Sequence, residues 1–242
     1  MRQALARSRN LVSIRILRSI GAYEGQQWAT RFGFEAEKNP PYLTLALGAG
    51  GATPMQMAVA YAVFANGGHR LNPWLIAKIT DPRGNVLLQV QAPTLSEANR
   101  VIDERNAFIM TKLLQEVTSR GTAASASRRL ERKDIYGKTG TTNDSLDAWF
   151  AGWQATNVAV VWMGYDQPRS LGSRETGGGL SLPIWLDYMA PILKNVPESE
   201  PVKPAGAAPE ALPALRIEVT GMVTASNLAA FREHAMAVFG GI

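Results

Sequence analysis

The stretch GKTGTT at residues 137–142 carries side chains that are suited to binding an anion. Lys138 supplies a positive charge, and the hydroxyls of Thr139 and Thr141 can donate hydrogen bonds to a carboxylate. Gly140 leaves room for a ligand to approach the backbone. If these residues lie on an edge strand, they form a carboxylate-recognition site.

The same six residues allow two other interpretations. A phosphate-binding loop requires a glycine five residues before Gly137 and a helix after the lysine. Position 132 is arginine, and the residues after Lys138 have a strand pattern, so a phosphate loop is disfavoured. A chance Lys-Thr-Gly triplet in a loop remains the simpler alternative.

A second triplet, Ser8-Arg9-Asn10, precedes the first amphipathic segment of the chain. A serine hydroxyl and an asparagine amide two residues apart can project from one loop into a cleft. The alternative is that Ser8 or Asn10 caps the following helix, which is a common use of both residue types. If both triplets serve one site, Ser8, Asn10 and Lys138 must converge, and a proton relay requires the Ser8 hydroxyl to lie within about 2.6 to 3.2 Å of the Lys138 ammonium.

Local signals mark the helices that must position these triplets. Thr53 and Gln56 have the spacing of a capping box, Asp103 is expected to cap a later helix, and Gly21 is a natural helix end. The predicted helices cover residues 11–20, 54–66, 104–118 and 181–194, the last with Ser181 as its cap.

Short apolar runs indicate the strands. The runs at 135–141, 148–153 and 158–164 predict three consecutive antiparallel strands. A turn sequence at 81–85 separates two further runs, 74–80 and 86–90, and predicts a hairpin. Alternation of helices with these strands predicts an α/β fold.

The composition of the chain excludes several kinds of catalytic and metal site. The chain has 242 residues, of which 46% are hydrophobic and 19% are charged, and this balance predicts a globular domain. The absence of cysteine excludes thiol nucleophiles, disulfides and cysteine-rich zinc sites. With only two histidines, we expect no metal and no cofactor.

The net charge of +5 would suit an anionic partner. Five arginines lie in the first 18 residues without an acidic residue, a pattern also found in transit peptides. The other basic residues are scattered and form no stripe with aromatic residues, so we expect no nucleic-acid partner. Residues 39–69 carry no charge, but glycines and a proline interrupt them, so we expect no membrane segment.

Three segments, taken in order, resemble the transpeptidase domain of class A, bifunctional penicillin-binding proteins, which are serine penicilloyl-transferases. They are residues 4–21 (ALARSRNLVSIRILRSIG), 43–68 (LTLALGAGGATPMQMAVAYAVFANGG) and 137–153 (GKTGTTNDSLDAWFAGW). The resemblance implies a β-lactamase/transpeptidase-like α/β fold, an antiparallel sheet flanked by helices. It also replaces the transit-peptide interpretation of the arginine-rich start.

The chain departs from the family at one point. The family's nucleophile belongs to an S-x-x-K motif upstream of S-x-N, and no serine of this chain has a lysine three residues later. We therefore expect a domain truncated at its N-terminus, without the family's glycosyltransferase domain and membrane anchor. The expected organisation is a partial transpeptidase domain at 1–195, a Pro/Ala-rich linker at 196–216 and a tail of unknown role at 217–242.

In the family, the nucleophile attacks a D-Ala-D-Ala stem peptide of peptidoglycan, releases D-Ala and passes the acyl group to an amine, and β-lactams mimic that dipeptide. The resemblance implies that Ser8 relays a proton and that Asn10 holds the peptide amide. It also implies that Lys138 polarises Ser8 and attracts the terminal carboxylate. It implies that the substrate-binding residues are Thr139, Gly140, Thr141 and Thr142.

The resemblance implies activity for the complete protein, at the bacterial inner membrane facing the periplasm, rather than for this chain alone. No signal or anchor is visible in the chain itself. An inactive fragment or binding module that keeps part of the peptide groove is the alternative. A β-lactam hydrolase relative is a further one, although no residue is identified as the base that deacylation would need.

Overall fold

A computed structural model describes residues 1–204 and 216–219. Its α-helices are α1 (Arg2–Ala6), α2 (Asn10–Ile20), α3 (Ala22–Arg31), α4 (Pro54–Ala65), α5 (Glu104–Arg120), α6 (Ser125–Leu130) and α7 (Leu182–Leu193). Its strands are β1 (Lys78–Thr80), β2 (Val86–Gln89), β3 (Tyr136–Thr141), β4 (Ala148–Gln154), β5 (Asn157–Met163) and β6 (Arg216–Val219).

The main sheet has the strand order β3-β4-β5-β6. Strands β3, β4 and β5 are consecutive antiparallel neighbours, so this prediction is confirmed. Strand β6 pairs with β5 in parallel, and the sequence did not predict it. The remaining residues of the predicted tail lie outside the described residues.

The predicted hairpin forms a separate sheet of strands β1 and β2. The Asp81 carboxylate accepts hydrogen bonds from the backbone N–H groups of Arg83 and Asn85, which closes the turn. Every residue of the two strands is exposed, so the turn and the strand pairing hold the hairpin rather than burial.

The main sheet is covered on both faces. Cross-strand neighbours share a face, and Phe150 of β4 meets Trp185 of α7 with ring centroids 5.1 Å apart. On the other face, Ala151 and Val160 pack against Ala58 of α4. The sheet is therefore the centre of the hydrophobic core, between α4 and α7.

Local capping signals identify two helix starts correctly. Thr53 and Gln56 form the predicted capping box at α4, and the Asp103 carboxylate accepts a hydrogen bond from the Arg105 N–H at α5. Helix α2 ends at Ile20 and is followed by Gly21 at φ +95°, also as predicted.

Ser181 is the N-cap residue of α7, as predicted, but its side chain makes no capping hydrogen bond to that helix. A single π-helical turn, Gly177–Ser181, precedes α7, and the Thr176 hydroxyl caps that turn by accepting a hydrogen bond from the Gly179 N–H. Because this turn extends the helix towards its N-terminus, Ser181 is buried inside it and donates to the Ala148 carbonyl at 2.7 Å.

Within the described part of the chain, no helix combines the length and the apolar character needed to cross a membrane.

Candidate active site

The first two candidate residues meet across the fold. The Lys138 ammonium donates a hydrogen bond to the Ser8 hydroxyl at 2.8 Å, although 130 residues separate them in sequence. Lys138 lies opposite Ala151 in the β3–β4 register, so its side chain is on the α4 face of the sheet. The predicted convergence of Ser8 and Lys138 is confirmed.

The surroundings of the Lys138 ammonium determine its pKa. Its ammonium makes a second hydrogen bond, to the Thr139 carbonyl at 2.9 Å. Among the described residues, no carboxylate forms an ion pair with it. Burial therefore lowers the pKa of Lys138 to about 8. An amine with a pKa near neutrality can exchange protons with a neighbouring hydroxyl.

Ser8 lies in the short connection between α1 and α2. Its φ of +51° is a left-handed conformation that is rare for a non-glycine residue. The Ser8 N–H donates to the Leu5 carbonyl at 3.1 Å, and the Arg9 N–H donates to the Ala4 carbonyl at 2.8 Å. These backbone bonds hold the Ser8 side chain towards β3.

The capping alternative for the second triplet is wrong. Helix α2 begins at Asn10, its N-cap residue is Arg9, and the cap makes no side-chain hydrogen bond within the described residues. Asn10 is exposed, and its amide has no hydrogen-bond partner in the described part of the chain. The structure thus brings Ser8 to Lys138 but does not join Asn10 to either.

The threonine hydroxyls of the 137–142 stretch have different partners. The Thr139 and Thr122 hydroxyl oxygens are 2.6 Å apart. The Thr141 hydroxyl accepts from the Gly177 N–H at 3.0 Å, and its own proton has no acceptor among the described residues. The Thr142 hydroxyl accepts from the Asp147 N–H at 2.7 Å. Thr142 therefore closes the β3–β4 turn.

Two glycines allow close packing beside the lysine strand. A Cβ added to Gly140 would lie 3.2 Å from the Trp149 Cβ, its cross-strand neighbour. A Cβ added to Gly177 would lie 2.2 Å from the Trp149 carbonyl oxygen and 2.4 Å from the Gly140 carbonyl oxygen. Only glycine lets the Gly177 turn cross the strands at this distance.

Sequence analysis missed Thr122 and Gly177 as parts of the site. The run of three glycines at 177–179 was a usable signal, because it precedes a helix that needs no such flexibility. For Thr122 no local signal exists, since its neighbour Gly121 marks only the end of α5.

Such a sheet, packed between helices and carrying Ser8 and Lys138 in contact at β3, defines the β-lactamase/transpeptidase-like class. The sequence model described as the penicillin binding protein transpeptidase domain matches residues 1–190. The chain therefore belongs to the penicillin-binding protein transpeptidase family.

Individual relatives agree with this membership. Penicillin-binding protein 1A of Neisseria lactamica is 48% identical over 81% of this chain, and that of Neisseria flavescens is 46% identical over 95% of it. These matches span 25% and 28% of the two relatives, so the chain covers about a quarter of their length.

Among solved structures, penicillin-binding protein 1A from Haemophilus influenzae superposes with a TM-score of 0.75 at 31% identity. The superposition covers 83% of this chain and 35% of that one. This likeness confirms the predicted fold class, an antiparallel sheet flanked by helices.

Proposed function

We propose that this chain forms one half of an acyl-transfer site that, in a longer protein, cross-links peptidoglycan stem peptides ending in D-Ala-D-Ala and is acylated by β-lactams. The observation that carries the proposal is the 2.8 Å hydrogen bond from Lys138 to Ser8. Two groups that can exchange a proton, placed in contact from distant parts of the sequence, are what a proton relay requires.

Ser8 is the relay residue in this proposal. When the nucleophile, already deprotonated, attacks the penultimate carbonyl, a C–O bond forms and the C–N bond to the terminal D-Ala breaks, so the leaving amine needs a proton. Ser8 gives its proton to that amine and takes one from the Lys138 ammonium. The pKa of Lys138, about 8, lets the ammonium release the proton near neutral pH.

The hydroxyls of β3 bind the terminal carboxylate. The proton of Thr141 is free because this hydroxyl accepts from Gly177, and Thr139 lies beside it on the strand. Asn10 holds the peptide amide; its exposed side chain is open to a ligand. Thr142 shapes the turn through Asp147 rather than contacting the ligand.

The nucleophile comes from sequence that this chain does not contain, since no serine here has a lysine three residues later. The proposal places the complete site at the periplasmic face of the bacterial inner membrane, where stem peptides are cross-linked. The same missing motif supports a second candidate function for the chain alone, a module that binds the peptide end but does not react.

A fluorescent penicillin tests the proposal. We expect no covalent label on the chain alone, and a stoichiometric label on a polypeptide extended upstream to include an S-x-x-K motif. In the extended protein, Ser8→Ala and Lys138→Ala should each lower the acylation rate by about 100-fold or more, because a positioned acid or base contributes about that much.

The matched control is Ser19→Ala, an exposed serine of α2. This variant should acylate at the unmodified rate. Acylation of the extended protein that does not depend on Ser8 would contradict the relay, and a boil-resistant label on the chain alone would contradict the assignment of the nucleophile.

A further inference from the structure

Thr122 touches both halves of the candidate site while belonging to neither triplet. It lies between α5 and α6, and its hydroxyl oxygen is 2.6 Å from that of Thr139. Its backbone N–H donates to the Ala6 carbonyl at 3.0 Å, two residues before Ser8. The residue therefore connects the Ser8 loop to strand β3.

Thr122 has little freedom to move. A Cβ added to Gly121 would lie 2.2 Å from the Ala6 carbonyl oxygen, so the backbone at 121–122 is pressed against the end of α1. On its other side, a Cβ added to Gly178 would lie 3.0 Å from the Thr122 carbonyl oxygen. With its backbone held from both sides, Thr122 keeps its hydroxyl beside Thr139.

Hydrogen-bond counting gives this contact a direction. A hydroxyl carries one proton and two acceptor lone pairs, so in a hydrogen-bonded pair only one oxygen donates to the other. If Thr139 donates its proton to a carboxylate, it must accept from Thr122. The order is then Thr122 to Thr139 to carboxylate, and a chain of this kind strengthens each bond in it.

We propose that Thr122 is a positioning residue that aims the Thr139 proton at the ligand, so that the site prefers a terminal carboxylate over a neutral end. The inference rests on the proposed function, because it takes Thr139 as a carboxylate donor. Thr122 is exposed and Thr139 is half-buried, so the pair opens to solvent, where a ligand can reach it.

The experiment is an NMR titration of this full chain with N-acetyl-D-alanyl-D-alanine and with its C-terminal amide. The measured quantity is the affinity for the acid divided by the affinity for the amide. Thr122→Val keeps the side-chain shape but removes the donor, and should lower the ratio about tenfold by weakening only carboxylate binding. Thr122→Ser should keep the ratio of the unmodified chain.

Two controls separate positioning from a general structural effect. Thr94→Val removes an exposed hydroxyl from the loop before α5 and should leave both affinities unchanged. In a Thr139→Val background, Thr122→Val should have no further effect on the ratio, because Thr122 acts through Thr139.

The inference is overturned if Thr122→Val leaves the ratio unchanged, whether or not the two affinities fall together. It is also overturned if Thr122→Ser lowers the ratio as much as Thr122→Val does. These results are distinguishable from failure of the proposed function. Two results contradict the proposed function and the inference with it. One is that the unmodified chain binds neither peptide, and the other is that the Lys138→Met variant binds the acid as tightly as the unmodified chain does.

Discussion

One polar cluster lies just before strand β3 and another lies along it, and the two satisfy their hydrogen bonds differently. In the first, Asp134 is fully buried and its carboxylate oxygens accept from Arg132 at 2.7 and 2.9 Å and from Gln154 at 2.8 Å. The Ser199 N–H adds a bond at 3.1 Å. All these partners come from the protein.

Hydrogen bonds in this first cluster compensate for the burial of the Asp134 carboxylate. Burial would raise the pKa of Asp134, but the hydrogen bonds from Arg132, Gln154 and the Ser199 N–H outweigh burial and hold the pKa below its usual value. The carboxylate therefore stays ionised, and the network ties the segment after α7 to the start of β3.

The second cluster is incomplete in comparison. The Lys138 ammonium has three donors and, within the described part of the chain, uses two, on Ser8 and on the Thr139 carbonyl. Among the described residues no carboxylate compensates its charge, and burial lowers its pKa. A cluster that supports the fold is satisfied internally, whereas a cluster that serves a ligand keeps unsatisfied donors and is less stable for it.

The largest expected effect comes from breaking the complete cluster. Asp134→Ala leaves the Arg132 guanidinium, whose side chain is 10% exposed, without its carboxylate partner, and should lower the free energy of unfolding by about 3–5 kcal/mol. Urea unfolding followed by circular dichroism measures this loss. Asp187→Ala, which breaks an exposed pair with Arg129, is the control and should cost less than about 1 kcal/mol. Equal losses would contradict the comparison.

The next effect comes from forcing the Ser8 loop away from β3. Gly121→Ala places a Cβ against the Ala6 carbonyl oxygen, and relieving that overlap should cost about 2 kcal/mol of stability. Gly51→Ala is the control, because its Cβ would have no neighbour closer than 3.9 Å. If Gly121→Ala unfolds at the same urea concentration as the control, the loop is not held by this approach.

Removing the Lys138 charge should raise the free energy of unfolding, in contrast to the two substitutions above. Lys138→Met should raise the free energy of unfolding at pH 7 by about 1–2 kcal/mol, because the variant no longer desolvates an ammonium. Lys133→Met removes an exposed lysine and should change stability by less than about 0.5 kcal/mol. A Lys138→Met protein less stable than the unmodified chain would show that the two hydrogen bonds of the ammonium outweigh its desolvation.

The same lysine predicts a pH dependence. The pKa of Lys138 is about 8 in the folded chain against the ordinary lysine value of 10.5, so between these pH values the unfolded chain binds more protons. Stability of the unmodified chain should therefore rise from pH 8 to 10.5, and the advantage of Lys138→Met should shrink over that window. Urea unfolding at pH 7 and at pH 10 checks the sign.

The smallest expected effect tests the backbone conformation of Ser8. Because Ser8 has a φ of +51°, Ser8→Gly should be more stable than Ser8→Ala by about 1 kcal/mol. Ser13, inside α2, is the matched control, where glycine should be less stable than alanine by about 0.5–1 kcal/mol. The same order at both positions would contradict a left-handed Ser8.

Features that depend on neighbours in sequence could be predicted without the structure. Thr53 and Asp103 start helices because their side chains bond to N–H groups two or three residues away. The strands β3, β4 and β5 follow from short runs joined by tight turns. Ser181 stands at the predicted N-cap position but its hydroxyl does not cap α7, because a π turn capped by Thr176 precedes the helix. No local pattern predicts that turn.

Residue types and their spacing were enough to identify the family, the two triplets and the absence of an S-x-x-K motif. The 2.8 Å distance from Lys138 to Ser8 and the contact between Thr122 and Thr139 could be found only in the folded chain. Those distances depend on how α1, the end of α5 and β3 pack together. Packing between separate elements of the chain is set by the whole core, which no local pattern encodes.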